Sequence, residues 1–205
     1  MKLYLVRHGE TDALKNRILQ SDDEPLSELG QNQAEKLIER FDEVSLDKII
    51  SSPYRRAWQT AEKIGKDFEV CDYFREIKKP SEFIGNSKDD QETRKIIEEI
   101  RKNYSENANW RYSDEENFSD IKTRVESALD FLVNLKVENL LVVSHGRFIC
   151  ALTGKIIFDD MFNGSIFAKM EKTFRLSNTG ISVFDYTSEK GWKLEKWNDQ
   201  SHWLE

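Results

Sequence analysis

Leu3-Tyr4-Leu5-Val6-Arg7-His8-Gly9-Glu10-Thr11 sets a run of four apolar residues directly before an arginine-histidine pair. Such a run reads as a buried strand, so His8 stands where an opening strand gives way to a loop. The pattern returns at Leu140-Leu141-Val142-Val143, which leads into Ser144-His145-Gly146. Two of the three histidines therefore follow apolar strands. Ligands of open α/β sheets gather beyond the carboxyl ends of the strands, so these two can share one pocket although they are far apart in sequence.

Outward from His8, the spacing alternates helices with strands. Pro25-Leu26-Ser27-Glu28 offers Ser27 as a helix cap, and Ala34, Leu37, Ile38 and Phe41 recur behind it at helical intervals. Ile49-Ile50 centres a short strand, and Ser52-Pro53 reads as the cap and first turn of a helix with Ala57, Ala61, Ile64 and Phe68 on one face. Residues 72–92 are rich in charge and poor in periodicity, which predicts a long functional loop or cap. Ile96, Ile97, Ile100 and Tyr104 mark a helix, residues 105–117 a connection, and Ile121, Val125, Ala128, Leu129 and Leu132 a longer helix from near Ser119-Asp120. Ile181, Val183, Phe184 and Tyr186 mark a later strand, closed by a hairpin around Gly191, and the last dozen residues carry no clear pattern. The expected fold class is α/β: a three-layer α/β/α domain over 1–205 with a largely parallel central sheet and a substrate-facing loop or cap at about 72–117.

The 205 residues can enclose a sizeable core. A formal charge of −7 argues against a nucleic-acid or anionic-membrane surface, so any anion site must be local. Cys71 and Cys150 lie in or beside apolar stretches without paired-motif spacing, which reads as reduced buried thiols in a cytoplasmic protein. Too few apolar residues precede Arg7 for a signal peptide, and no run approaches a membrane span. The histidines lack a short ligand spacing, so neither a metal nor another cofactor is expected. His202, beside Trp203, reads as a packing or surface residue.

A phosphate monoester is a dianion and needs fixed positive charge matched to several oxygens. Arginine holds phosphate through two parallel hydrogen bonds, which makes Arg7 and an arginine of Ser51-Ser52-Pro53-Tyr54-Arg55-Arg56 clamp candidates. A neutral imidazole can attack phosphorus in line and form a phosphohistidine, dividing one displacement into two, with His8 as the nucleophile. His145, if protonated, would stabilise charge on the equatorial oxygens. The leaving alkoxide needs a proton and the incoming water a base, and one carboxyl group can do both. Glu10, Asp12, Glu76 and Glu82 all fall on expected loops, and spacing does not choose among them.

Four segments in order, LYLVRHGET at 3–11, PLSELG at 25–30, SSPYRRAWQTA at 51–61 and VVSHG at 142–146, resemble the histidine phosphatase superfamily in its phosphoglycerate-mutase-like branch. Glu116-Asn117-Phe118-Ser119-Asp120, followed by Arg124, is a weaker match. The resemblance implies that His8 is the phosphorylated histidine, Arg7 its neighbouring arginine, His145 the second histidine and Arg56 the distal arginine. It further implies that Glu76 is the proton donor and water activator, and that Gln20 occupies a common phosphate-pocket position. Gly146 stands where the acid-phosphatase and phytase branch carries aspartate, which directs attention to the Glu76 loop.

The chain also departs from that pattern. Relatives carry tryptophan-asparagine where this chain has Ala13-Leu14, with Asn16 two residues late, and Ser21 replaces an expected glycine. After Glu76, relatives often read glycine and then tryptophan-glutamate-glycine, whereas this chain reads Lys78-Lys79-Pro80-Ser81-Glu82-Phe83-Ile84-Gly85. Lys78 and Lys79 offer charge to a second acidic group on a substrate, although loop lysines ordinarily form solvated surface. The expected function is metal-independent hydrolysis of a small phosphorylated metabolite; the alternatives are mutase-type phosphoryl transfer and non-catalytic phospholigand binding. A homodimer is compatible with this reading.

Overall fold

The computed structural model describes residues 1–65 and 67–203; Lys66 and the last two residues of the expected 1–205 domain lie outside that description. The elements run β1 (Lys2–Arg7), α1 (Asp12–Lys15), α2 (Glu28–Asp42), β2 (Lys48–Ser51), α3 (Arg55–Lys63), β3 (Glu69–Val70), α4 (Gln91–Glu106), α5 (Phe118–Asn134), β4 (Asn139–Ser144), α6 (Gly146–Phe158), α7 (Gly164–Thr173), β5 (Ile181–Thr187) and β6 (Gly191–Asp199). Short 3-10 turns occupy 72–74, 81–83, 159–161 and 201–203.

Side-chain alternation along the central strands sets the layers. Leu3 and Leu5 of β1, with Leu140 and Val142 of β4, join a core built on α5, α6 and α7. Tyr4, Val6, Leu141 and Val143 face the other way and pack on Leu37 and Phe41 of α2 and Ala57 and Ala61 of α3. The result is the α/β sandwich that the pattern predicts. The sheet order is β3-β2-β4-β1-β5-β6. β3, β2, β4 and β1 are parallel, whereas β5 and β6 run antiparallel at one edge. No described helix is long and apolar enough to cross a membrane.

Ser27 caps α2 as expected, its hydroxyl accepting from the Gly30 amide at 3.0 Å. The helix expected from Ser52-Pro53 instead begins at Arg55. Ser52 is diverted: its hydroxyl accepts from the Tyr54 amide at 3.2 Å and pairs with His145. Phe68 lies beyond the end of α3, because Gly65 adopts a left-handed φ of 73° that stops the helix; the ring still packs against the same core. Residues 72–117 hold two 3-10 turns, α4 and the connection to α5. Asn117 caps α5 in a reciprocal capping box with Asp120, one residue before the expected start. The uncertain tail forms β6 and a turn that buries His202 against the Thr179 hydroxyl at 3.2 Å. Cys150 is buried and Cys71 is only half-buried; both are free thiols.

Candidate active site

β1 and β4 are neighbours in parallel register, with Arg7 opposite Ser144 on the last rung. His8 and His145 consequently leave the sheet at the same height. Their rings lie 5.1 Å apart, and the two residues are 2 % and 0 % exposed. The amide of His8 still donates to the Ser144 carbonyl at 3.0 Å, so the ladder extends to the histidine itself.

His8 Nδ1 lies 2.6 Å from the Gly9 carbonyl oxygen. A carbonyl only accepts, so Nδ1 carries the proton and Nε2 keeps its lone pair. Burial, then the charges of Arg56 and Arg7, push this imidazole well below its ordinary pKa, with the Gly9 carbonyl opposing them. The ring is neutral at pH 7.

His145 is held by its Nε2, 2.7 Å from the Ser52 hydroxyl. Burial, Arg56, His8 and Arg7 all push its pKa down, so in the ligand-free pocket it too is neutral. A dianion bound there would offset the charges of Arg7 and Arg56 and favour the imidazolium. Its Nδ1 is buried without a hydrogen-bond partner among the described residues, and so are Arg7 Nε and Arg56 Nε. Buried polar atoms are normally paired. Of the six buried side-chain atoms that are unpaired among the described residues, three thus belong to this group, which leaves donors free for an anion.

Arg7 is anchored by donation from Nη1 to the Leu176 carbonyl, and Arg56 by donation from Nη1 to the Ser21 carbonyl at 2.8 Å. Ser21, the residue replacing an expected glycine, therefore serves the pocket through its backbone. The Arg56 guanidinium sits 5.1 Å from the centre of the Tyr54 ring, which itself contacts the His145 ring at 5.2 Å. Arg55 instead points to Asp23 at 3.6 Å and is nearly half exposed.

Arg7, His8, Gln20 and Glu76 line a cavity of about 680 Å³. Arg56 and His145, 2 % and 0 % exposed, are not among its lining residues. Gln20 donates from Nε2 to the Thr11 hydroxyl at 2.5 Å. Of the four nominated acids, only Glu76 reaches the cavity. Its Oε1 accepts from the amides of Ile77 at 2.8 Å and Phe148 at 3.1 Å, while Oε2 has one long contact, 3.4 Å from the Arg147 amide. Oε2 is therefore the less engaged of the two oxygens. Leu14 lines the cavity and exposed Asn16 does not, so the asparagine donor of the family pattern is absent at that wall.

The segment bearing Glu76 is tied down by a buried ion pair. Arg124 donates to both Glu116 oxygens at 2.7 and 2.8 Å, and its Nη1 reaches the carbonyls of Tyr73 and Arg75 at 2.8 Å each. Burial works to raise the Glu116 pKa, but Arg124 overcomes it and holds the carboxyl below its usual range. Sequence reading picked out this Glu-Arg pair only as a weak motif and had no signal for the roles of Ser52, Tyr54 or Arg147.

The sequence model of the histidine phosphatase superfamily (branch 1) matches residues 3–200. The chain belongs to that superfamily. A probable phosphoglycerate mutase GpmB of Proteus mirabilis is 30% identical over 221 residues, covering 98% of this chain and 94% of that one. An uncharacterized phosphatase PhoE of Bacillus subtilis is 31% identical over 201 residues, covering 97% of this chain and 94% of its own length. Among solved structures, a putative alpha-ribazole-5'-P phosphatase from Escherichia coli matches with a TM-score of 0.77 at 25% identity, covering 97% of each chain. This histidine phosphatase fold places the two strand-end histidines side by side.

Proposed function

We propose that this protein hydrolyses phosphate monoesters of small metabolites through a phosphohistidine on His8. The observation that carries the reading is the Nδ1 hydrogen bond to Gly9, which presents a neutral imidazole with Nε2 free beside the guanidiniums of buried Arg56 and half-buried Arg7. In the first step Nε2 bonds to phosphorus as the ester P–O bond breaks, and Glu76 gives its proton to the departing alkoxide. Arg7, Arg56 and the protonated His145 meet the charge on the transferred oxygens, and Gln20 adds a donor at the rim. In the second step Glu76 takes a proton from water, whose oxygen attacks phosphorus; the N–P bond breaks, and inorganic phosphate and the free imidazole return. No metal or cofactor enters these steps.

Rapid quenching with a labelled monoester is expected to leave acid-labile, alkali-stable phosphate on His8, and His8→Ala is expected to lose turnover while retaining its fold. Full turnover by His8→Ala would refute the covalent route. The relatives named as mutases make the acceptor a point of test: with 3-phosphoglycerate, inorganic phosphate is expected, and accumulation of the 2-isomer would assign mutase chemistry instead.

A further inference from the structure

Beyond the phosphate pocket the cavity wall becomes cationic, although the chain as a whole carries a net charge of −7. Most of these cations are already neutralised. Lys78 pairs with Asp114 at 2.8 Å, Arg17 with Asp89 at 2.8 Å, and Arg147 with Glu171. Lys79 and Lys88 differ, and so does Arg175, which among the described residues is also unpaired but is exposed. Both lysines are half-buried, both line the cavity, and neither ammonium has a hydrogen bond or ion pair among the described residues.

Their backbones are fixed. The Lys88 amide donates to the Arg17 carbonyl at 2.7 Å, within a segment that also exchanges hydrogen bonds with Leu19. Lys79 lies between Lys78, whose amide donates to Glu116 at 2.9 Å, and buried Pro80. Burial lowers the pKa of Lys79 to about 7, helped by Arg147, Lys88 and Arg56 and opposed by Glu76. Burial, Arg17 and Arg7 lower that of Lys88, again against Glu76. Lys79 thus feels Lys88, and both feel charged residues of the phosphate site. Unpaired like charges sharing one cavity wall at half burial are unfavourable until an anion joins them.

We propose that Lys79 and Lys88 form a second anion subsite, so that the preferred substrates are monoesters whose alcohol carries a further acidic group, a carboxylate or a second phosphate. This rests on the monoesterase reading above. Compact ammonium groups on flexible stems suit an anion whose position varies among substrates, unlike the fixed fork of an arginine. The exposed partner of the lysine pair, Lys78, is excluded from the role by its bond to Asp114.

The test uses the purified full chain and probes matched in carbon skeleton: glycerol 3-phosphate, 3-phosphoglycerate and glycerol 1,3-bisphosphate. The wild type is expected to show kcat/KM at least about tenfold higher for one or both doubly anionic probes, the scale of one charge-assisted hydrogen bond. The carboxylate and bisphosphate arms tell which anion is favoured. In Lys79→Met and Lys88→Met, the KM for the favoured probe relative to that for glycerol 3-phosphate should rise about tenfold, with Lys79→Arg restoring part of it. Equal kcat/KM for all three probes in the wild type, or an unchanged KM ratio in both methionine variants, would overturn the subsite while leaving hydrolysis intact. Failure of the monoesterase reading itself would look different: no probe would be turned over and no phosphohistidine would form.

Discussion

Arg124 grips both oxygens of Glu116, and the same guanidinium reaches the backbone on either side of Phe74, so one buried ion pair sets the entry of the Glu76 segment into the pocket. The pair is 7 % and 6 % exposed and lies against the Phe148 ring at 4.5 Å. Removing Arg124 leaves the buried Glu116 carboxylate with only the longer Arg75 contact at 3.7 Å. Arg124→Met is expected to lose about 3–5 kcal/mol of stability in urea unfolding. Arg124→Lys, which keeps the charge but cannot span four acceptors, should fold and lose kcat more than KM, most of all for poor leaving groups. A proportional loss for good and poor leaving groups would show that the pair serves stability alone.

Glu76→Gln preserves the shape of the side chain and can still accept from the Phe148 amide, while removing the proton that the alkoxide needs. Turnover of alkyl phosphates is expected to fall by about 10²–10⁴. Nitrophenyl phosphate, whose leaving group departs without protonation, should be affected far less in the phosphorylation step. Identical losses measured by single-turnover quench would remove Glu76 from the proton-donor role.

The loop carrying His8 lies on the start of α2 only because two glycines permit it. A Cβ on Gly30 would fall 2.0 Å from the Glu10 carbonyl oxygen, and one on Gly9 would fall 2.5 Å from the Gly30 carbonyl oxygen. Those contacts are with backbone, so no side-chain rotation relieves them. Gly30→Ala is expected to cost about 1–3 kcal/mol and to reduce kcat by displacing His8. Thermal melting and initial rates check both; wild-type values for each would show that the close approach is not needed.

The two strand-end histidines were legible because β1 and β4 are buried on both faces and so read as continuous apolar runs. Their adjacency was not: the pairing of Arg7 with Ser144 crosses most of the chain and leaves no local mark. Helix α2 was readable from its Ser27 cap and apolar face, whereas α6, buried over most of its length, lacks the polar side that reveals a helix by its period. Ser52 misled for a physical reason, since its hydroxyl is used by His145 and a turn rather than by a helix. Lys78 and Lys79 are indistinguishable in sequence; only the position of Asp114 separates a paired lysine from an unpaired one on the same cavity wall.

Acid should weaken the protein, and a bound dianion should oppose that weakening. Burial depresses the pKa of His8 and His145 well below that of an ordinary histidine, and of His202 to about 4. In the unfolded chain each titrates near 6.5, so below that pH the unfolded state binds more protons and stability falls as pH drops towards the folded values. Each histidine contributes a slope of up to about 1.4 kcal/mol per pH unit. Sulfate remains a dianion over this range, and by occupying the site of Arg7, Arg56 and His145 it favours the imidazolium. Its stabilising effect in thermal melts is therefore expected to grow between about pH 8 and pH 5, and to lose that pH dependence in large part in His145→Gln. A sulfate effect that is constant with pH would show that His145 takes up no proton when an oxyanion binds.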